Sequence, residues 1–266
     1  MLSLHRALSP RPEFGVVHDF RADARFGWLK AQLERGEFGR VERVVWQATD
    51  WYRTAAYYEN SGWRGRFASE GGGLLVNQAP HLFDTLTWLF GVPRRVFGQC
   101  RFGRFHEVEV EDDVTALIDF VGGHSALVVA STGESPGTNR LEVSCDRGRI
   151  VMEDGSALVH RSREAASVHR RREPSGRPLA DVERIELPRR TPTGIALLSN
   201  FVAAIEGREA LLAPAEQALS AVEMANAVLW SSLLGRALTL PLDGSAFEGV
   251  LAQLSERGAR RALGSG

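Results

Sequence analysis

Lysine is almost absent from this chain of 266 residues. Lys30 is the only one, and arginine carries nearly all the positive charge. No G-x-G-x-x-G occurs, so the glycine turn that seats a dinucleotide pyrophosphate on a helix start is missing from these residues. Cysteine is scarce too. Cys100 and Cys145 form no C-x-x-C pair, which excludes a disulfide framework and a zinc spacing and points to a reducing interior. No apolar run approaches a membrane span, and Met1-Leu2-Ser3-Leu4-His5-Arg6 lacks the core of a signal peptide. The expected location is the cytoplasm, with no membrane partner. The formal net charge of −1 gives no bulk field that would attract nucleic acid.

Against these absences one stretch stands out: Gly71-Gly72-Gly73-Leu74-Leu75-Val76-Asn77-Gln78-Ala79-Pro80-His81-Leu82-Phe83-Asp84. Three glycines lead into an apolar run carrying Asn77, His81 and Asp84. Their spacing of four and three puts them on one face of a helix, with Trp88 extending it. Leu75, Leu82, Leu86 and Leu89 make the opposite, apolar face. On this reading Asp84 orients the imidazole, and His81 acts as acid or base near neutral pH. The competing reading is a surface histidine beside a helix-stabilising aspartate. No second ligand sits at metal spacing on this helix, so no metal is expected. The glycines either bring backbone N–H groups to an anion or pack a loop tightly on a neighbouring strand.

Local signals outline the rest. Phe14 to His18 reads as a short strand after a Ser9-Pro10-Arg11-Pro12 loop. Asp23 caps a helix that Gly36 stops, and Val41 to Thr49 is β-rich. A polar and aromatic loop runs from Asp50 to Glu70. Between residues 94 and 187 the pattern is one of strands and hairpins, with Gly122-Gly123 turning the clearest pair. Helices return over Thr193 to Ile205, over Pro214 to Leu234 with Gly235 closing it, and over Phe247 to Leu254. A short strand spans Arg236 to Leu240, and Gly264-Ser265-Gly266 reads as a frayed tail. The fold class expected is α+β, a large, mainly antiparallel, open-faced sheet with helices on one face.

Two further clusters bear on function. The loop carries Arg53, Tyr57, Tyr58, Trp63 and Arg64, residue types that suit a sugar or polyol through stacking and bidentate hydrogen bonds. They equally suit a satellite hydrophobic cluster pinning a long loop. Val168-His169-Arg170-Arg171-Arg172-Glu173-Pro174 lacks interleaved aromatics and reads as a solvated hairpin tip, not a nucleic-acid site.

The run Glu70 to His81 resembles the second-domain signature of the glucose-fructose oxidoreductase, inositol dehydrogenase and rhizopine-catabolism (Gfo/Idh/MocA) family. Similar pieces recur in family order: Arg21, Gly36-Glu37-Phe38-Gly39-Arg40-Val41, Trp63-Arg64-Gly65, Glu111-Asp112, Asn200 to Ile205, and Glu223 to Ala227. The resemblance implies an NAD- or NADP-dependent oxidoreductase of a sugar, cyclitol or related polyol. It implies that His81 exchanges a proton with the substrate hydroxyl. Arg53, Tyr58, Trp63, Arg64 and Asn77 then become candidates to line the substrate, and Arg21 a candidate to touch the cofactor. It also implies a homo-oligomer through the open sheet face. Two departures qualify it. Asn77 stands where many members have the aspartate of D-x-x-x-H, and an amide cannot relay a proton. The family's G-x-G-x-x-G and E-K-P lysine are missing. Residues 1–23 are therefore expected to be a remnant of the last Rossmann strand and linker. Residues 24–266 are expected to be the substrate-binding and oligomerisation domain of an enzyme shortened by a gene-start error, a frameshift or a genuine truncation. Alone, the chain is expected to be inactive and not to bind the cofactor. The alternatives are a non-catalytic sugar-binding or oligomerisation module and a decayed fragment.

Overall fold

The computed structural model describes residues 1–189 and 192–264. In chain order its elements are α1 (Leu2–Ala7), a 3-10 turn (Asp19–Ala22), α2 (Ala24–Glu34), β1 (Val41–Ala48), α3 (Ala55–Glu59), α4 (Phe67–Glu70), α5 (Leu74–Asn77), α6 (Pro80–Phe90), β2 (Pro93–Phe102), β3 (Glu111–Phe120), β4 (Ser125–Ser131), β5 (Asn139–Cys145), β6 (Gly148–Glu153), β7 (Ser156–Ser162), α7 (Ala166–Arg172), β8 (Ala180–Glu186), α8 (Thr193–Ile205), α9 (Ala215–Leu234), β9 (Leu238–Thr239) and α10 (Gly244–Gly264). The fold is α+β, as expected. Nine strands form one sheet in the order β8-β7-β6-β5-β1-β4-β3-β2-β9. All pairings are antiparallel except β1 with β4.

Helices cover one face. α9 lies on β2, α5 packs on β3 and α9, and α6 packs on α9 and the 3-10 turn. Gly98 explains how closely α9 approaches: a Cβ there would sit 2.3 Å from the Val228 carbonyl oxygen. The Ser231 and Ser232 hydroxyls then accept hydrogen bonds from the Gly98 and Cys100 amides. These amides would otherwise stay unpaired beside the short strand β9. On the other face, Phe97, Leu117 and Leu127 stand in direct register across β2, β3 and β4 and remain about 40% exposed (44%, 43% and 37%).

Several local expectations change. The strand read over Phe14 to His18 is only a bridge between Gly15 and Pro214, because it meets the loop between α8 and α9 and not a sheet edge. The Asp50–Glu70 loop holds the two short helices α3 and α4. The basic stretch at 168–174 forms most of helix α7, at the β7–β8 connection. The last helix starts earlier and runs longer than Phe247 to Leu254. The Asp243 carboxylate accepts from the Ser245 and Ala246 amides and so caps it. The tail reading reaches residues 265 and 266, which lie outside the described residues. Among the described residues no helix is long and apolar enough to cross a membrane. Both cysteines are buried free thiols, and burial pushes Cys145 up to about 12.

Candidate active site

A cleft of about 620 Å³ opens between the 3-10 turn, the end of α5, the start of α6 and the β6–β7 turn. His81 reaches it from the first turn of α6. The helix expected over Asn77 to Asp84 is broken, because Pro80 has no N–H to continue the ladder from α5. Asn77 therefore closes one short turn while His81 opens the next helix. Both still line the cleft.

Asp84 does not orient His81. It is fully buried and accepts two hydrogen bonds from Arg21, at 2.8 Å from Nε and 2.7 Å from Nη2. The remaining Arg21 nitrogen, Nη1, donates to the Leu212 carbonyl and to Gln217 Oε1. Arg21 is thus committed to the interior, joining the 3-10 turn to α6 and α9, with four of its five N–H groups engaged there and its side chain only 1% exposed. Asp84, on the helix face that its spacing shares with His81, thus lies inside the fold.

The carboxylate beside His81 is Asp19. Its Oδ1 lies 3.2 Å from His81 Nδ1, and the two side chains are 24% and 33% exposed. Phe20 packs against the imidazole with ring centroids 5.7 Å apart, and His18 meets it edge-on at 5.9 Å. His18 is buried, and desolvation lowers its pKa although nearby Asp84 pulls the other way. It therefore stands next to His81 as a neutral ring.

The five substrate candidates divide. Arg53 and Asn77 line the cleft. Asn77 donates to Glu70 at 2.6 Å and accepts from Gln78 at 3.2 Å, so its amide is held by its own neighbours. Arg53 donates to the Tyr52 carbonyl and lies over the Tyr57 ring. Tyr58, Trp63 and Arg64 are not among the lining residues. Arg64 stacks on Tyr57 and Trp63, and Tyr58 packs on His106, so these three build the cluster that pins the loop. Burial raises the Tyr58 pKa.

The glycine triplet serves the fold. The Gly73 and Leu75 amides, which begin α5, donate to Oε1 of Glu111 at 2.8 and 3.0 Å. Glu111 is buried at the start of β3, and burial pushes its carboxyl up to about 7 against the pull of those amides. A Cβ on Gly73 would come within 2.3 Å of the Glu111 carbonyl oxygen. The amides thus meet an internal carboxyl, and the close approach is that of loop on strand.

Sequence reasoning missed other lining groups. Asp19, Phe20, Arg25, Trp46, Asp50, Asn139 and Asp154 all border the cleft. Trp46 donates its indole N–H to Asn139, whose amide in turn donates to Asp50, which fixes one wall. Read along the chain, Trp46 is a strand residue like any core aromatic, and nothing local marks it as facing a cleft. Among the described residues no cluster of three or more metal-ligating side chains occurs.

Residues 26–151 match the family description "GFO/IDH/MocA C-terminal domain". Among curated protein sequences none matches the chain. Among solved structures, the chain is similar to the WlbA dehydrogenase from Bordetella pertussis in complex with NADH and UDP-GlcNAcA. The TM-score is 0.68 and the identity 21%, over 87% of this chain and 64% of that one. It is also similar to an oxidoreductase from Agrobacterium radiobacter in complex with NAD+, L-tartaric acid and magnesium (TM-score 0.67, identity 15%, 85% of this chain and 65% of that one). An NAD-binding protein from Listeria innocua gives a TM-score of 0.66 at 19% identity, over 85% and 63%. At these identities the likeness is one of fold, and the chain spans slightly under two thirds of the length of each of these proteins. The matched segment holds β1 to β5, the glycine turn and His81, and over it the chain matches the C-terminal domain of the Gfo/Idh/MocA family.

Proposed function

We propose that this chain forms the substrate half of an NAD(P)-dependent oxidoreductase acting on a sugar, cyclitol or related polyol. His81 gives or takes the proton of the reacting hydroxyl. The observation that carries this reading is the placement of a partly exposed imidazole, with a carboxylate at its Nδ1, in a cleft that offers both aromatic rings and amides. Phe20 and Trp51 supply faces for the C–H surface of a sugar, while Asn77, Gln78, Asn139 and Arg53 supply hydroxyl partners. The match of residues 26–151 to the Gfo/Idh/MocA C-terminal domain and the NADH- and NAD+-bound structures of similar fold support the nicotinamide class.

The residues present do not fit the dinucleotide itself. The glycine turn at 71–73 is the place in the sequence that resembles a phosphate cradle, and its amides are spent on Glu111. The nicotinamide is therefore assigned to a part outside these residues, and no step of the hydride's path is assigned to them. Calorimetry of the purified 266-residue chain should detect binding of myo-inositol or D-glucose without cofactor. His81→Ala should weaken it, and no NAD(P)H-coupled turnover should appear. Turnover of any polyol by this chain alone would overturn the half-enzyme reading. Failure to bind a range of sugars and polyols would overturn the assignment of the cleft.

A second reading, a non-catalytic sugar-binding or oligomerisation module, is favoured by the row Phe97, Leu117 and Leu127 exposed in register on the open sheet. It shares the homo-oligomer expected above. Sugar binding with a stable dimer, and a cleft indifferent to His81→Ala, would select it.

A further inference from the structure

We propose that Asp19 is the positioning residue for His81: it holds the imidazole proton on Nδ1 and thereby leaves Nε2 as the atom that faces the substrate hydroxyl. This rests on the reading of His81 as the proton-exchanging group. It adds a residue from a different segment that neither the spacing around His81 nor the family match singles out.

Elimination among the neighbours leads there. Asp84, the carboxylate that helical spacing offers, has its two oxygens on Arg21. Asn77, one turn before His81, is an amide already engaged by Glu70 and Gln78. His18 faces the ring edge-on, is neutral through burial, and lies 3.6 Å from Asp84. The Arg21 charge, the nearest cation on the 3-10 turn, is matched by Asp84. Asp19 is what faces Nδ1, at 3.2 Å. The two atoms fall short of full hydrogen-bond alignment, as contacts of this kind often do before substrate closes the site.

Asp19 is itself steered. Its other oxygen, Oδ2, accepts a hydrogen bond from Thr193 Oγ1 at 3.4 Å, and Thr193 is the first residue of α8, which packs on the 3-10 turn. One oxygen on a fixed hydroxyl and the other on the imidazole is an arrangement that orients a ring. A neutral imidazole carries its proton on whichever nitrogen faces the better acceptor, and a carboxylate at Nδ1 selects the Nδ1–H form. Nε2 is then a lone pair ready to take a proton from a hydroxyl. In the reverse direction the doubly protonated ring returns that proton from Nε2 and keeps the one on Nδ1, so the proton count balances without any further group.

Nitrogen-15 spectroscopy of the ring in the full chain, in mildly alkaline solution where histidine is neutral, reads the tautomer directly. It needs neither cofactor nor turnover, so its outcome is separate from that of the polyol assay. The neutral ring of His81 should be mainly Nδ1–H. Asp19→Asn should shift it mainly to Nε2–H, and Asp19→Glu should restore part of the original ratio. Thr193→Ala, which leaves the carboxylate in place, should shift the ratio in the same direction by less. A wild-type ring that is mainly Nε2–H would overturn the proposal, as would a folded Asp19→Asn chain with an unchanged ratio. If Asp19→Asn does not fold, the wild-type ratio and Thr193→Ala still decide it.

Discussion

Two pairs of basic and acidic side chains lie side by side around the 3-10 turn, Arg21 with Asp84 and His81 with Asp19. They use neighbouring residues of the same two elements, and they differ in burial and in saturation. Arg21 and Asp84 are almost completely buried, and the guanidinium spends its donors on a carboxylate, a carbonyl and an amide oxygen. His81 and Asp19 are a quarter to a third exposed, and no hydrogen bond among the described residues engages Nε2 of the imidazole. A buried charge must be fully partnered to be tolerated, so the first pair can only hold the fold together. A half-solvated pair with an atom to spare can exchange a proton. The lesson is that the carboxylate three residues after a histidine on a helix is a structural group here, and the carboxylate beside the imidazole comes from a turn some sixty residues earlier.

Substitutions can break this comparison, beginning with the largest effect. Arg21→Ala leaves Asp84 buried with its charge unmatched and should lower stability by about 3–5 kcal/mol, read as a fall in the denaturant midpoint. A loss well under this would mean that the first pair is not the strut it looks like. Gly73→Ala comes next, at about 1–3 kcal/mol, because the new methyl meets the Glu111 carbonyl at a distance no Cβ can hold. Glu111 sharpens the comparison, being fully buried yet only half satisfied. One oxygen takes two amides, and the other, Oε2, has no hydrogen-bond partner in the structure. Its folded pKa of about 7 lies above the ordinary carboxyl value. Its contribution is therefore fully present below about 4.5 and is lost progressively as pH rises from there to about 7. Glu111→Gln, which keeps an oxygen for both amides, should remove that loss. The stability of the variant relative to wild type should climb by about 1.4 kcal/mol per pH unit between about 4.5 and about 7 and level off above, measured by urea unfolding at several pH values. His81→Ala should be the mildest, within about 1 kcal/mol, since the ring is partly exposed and its packing on Phe20 and His18 is at the edge of the cleft.

Much of the architecture was legible along the chain, and the reason is that its signals are local. Thr193 to Ile205 is α8 as expected, and Pro214 and Gly235 bracket α9, with Gly235 in the left-handed conformation that ends it. The alternation across Gly122-Gly123 is the β3–β4 hairpin. Helices that begin or end without such punctuation were read short, as α10 was, and a proline in mid-pattern was underweighted at Pro80. The site was legible only in part. His81, Asn77 and Arg53 reach the cleft; of the residues offering the same chemistry on the same loop, Arg64 packs on Tyr57 and Trp63, and Tyr58 packs on His106.

By itself the sequence determined the α+β class, the family resemblance, the glycine turn before α5 and the histidine at the start of α6. Each depends on propensity, capping or a short ordered motif, which neighbours in the chain decide among themselves. Only the tertiary structure decided which carboxylate lies beside His81, why Gly73 has no room for a side chain, and which aromatics line the cleft. Those outcomes turn on the 3-10 turn meeting α6 and α8, on β3 placing Glu111 under the glycine turn, and on β1 and β5 presenting Trp46 and Asn139 together. Charges and amides far apart in the chain take the partners that burial leaves them, and burial is set only when the layers have packed.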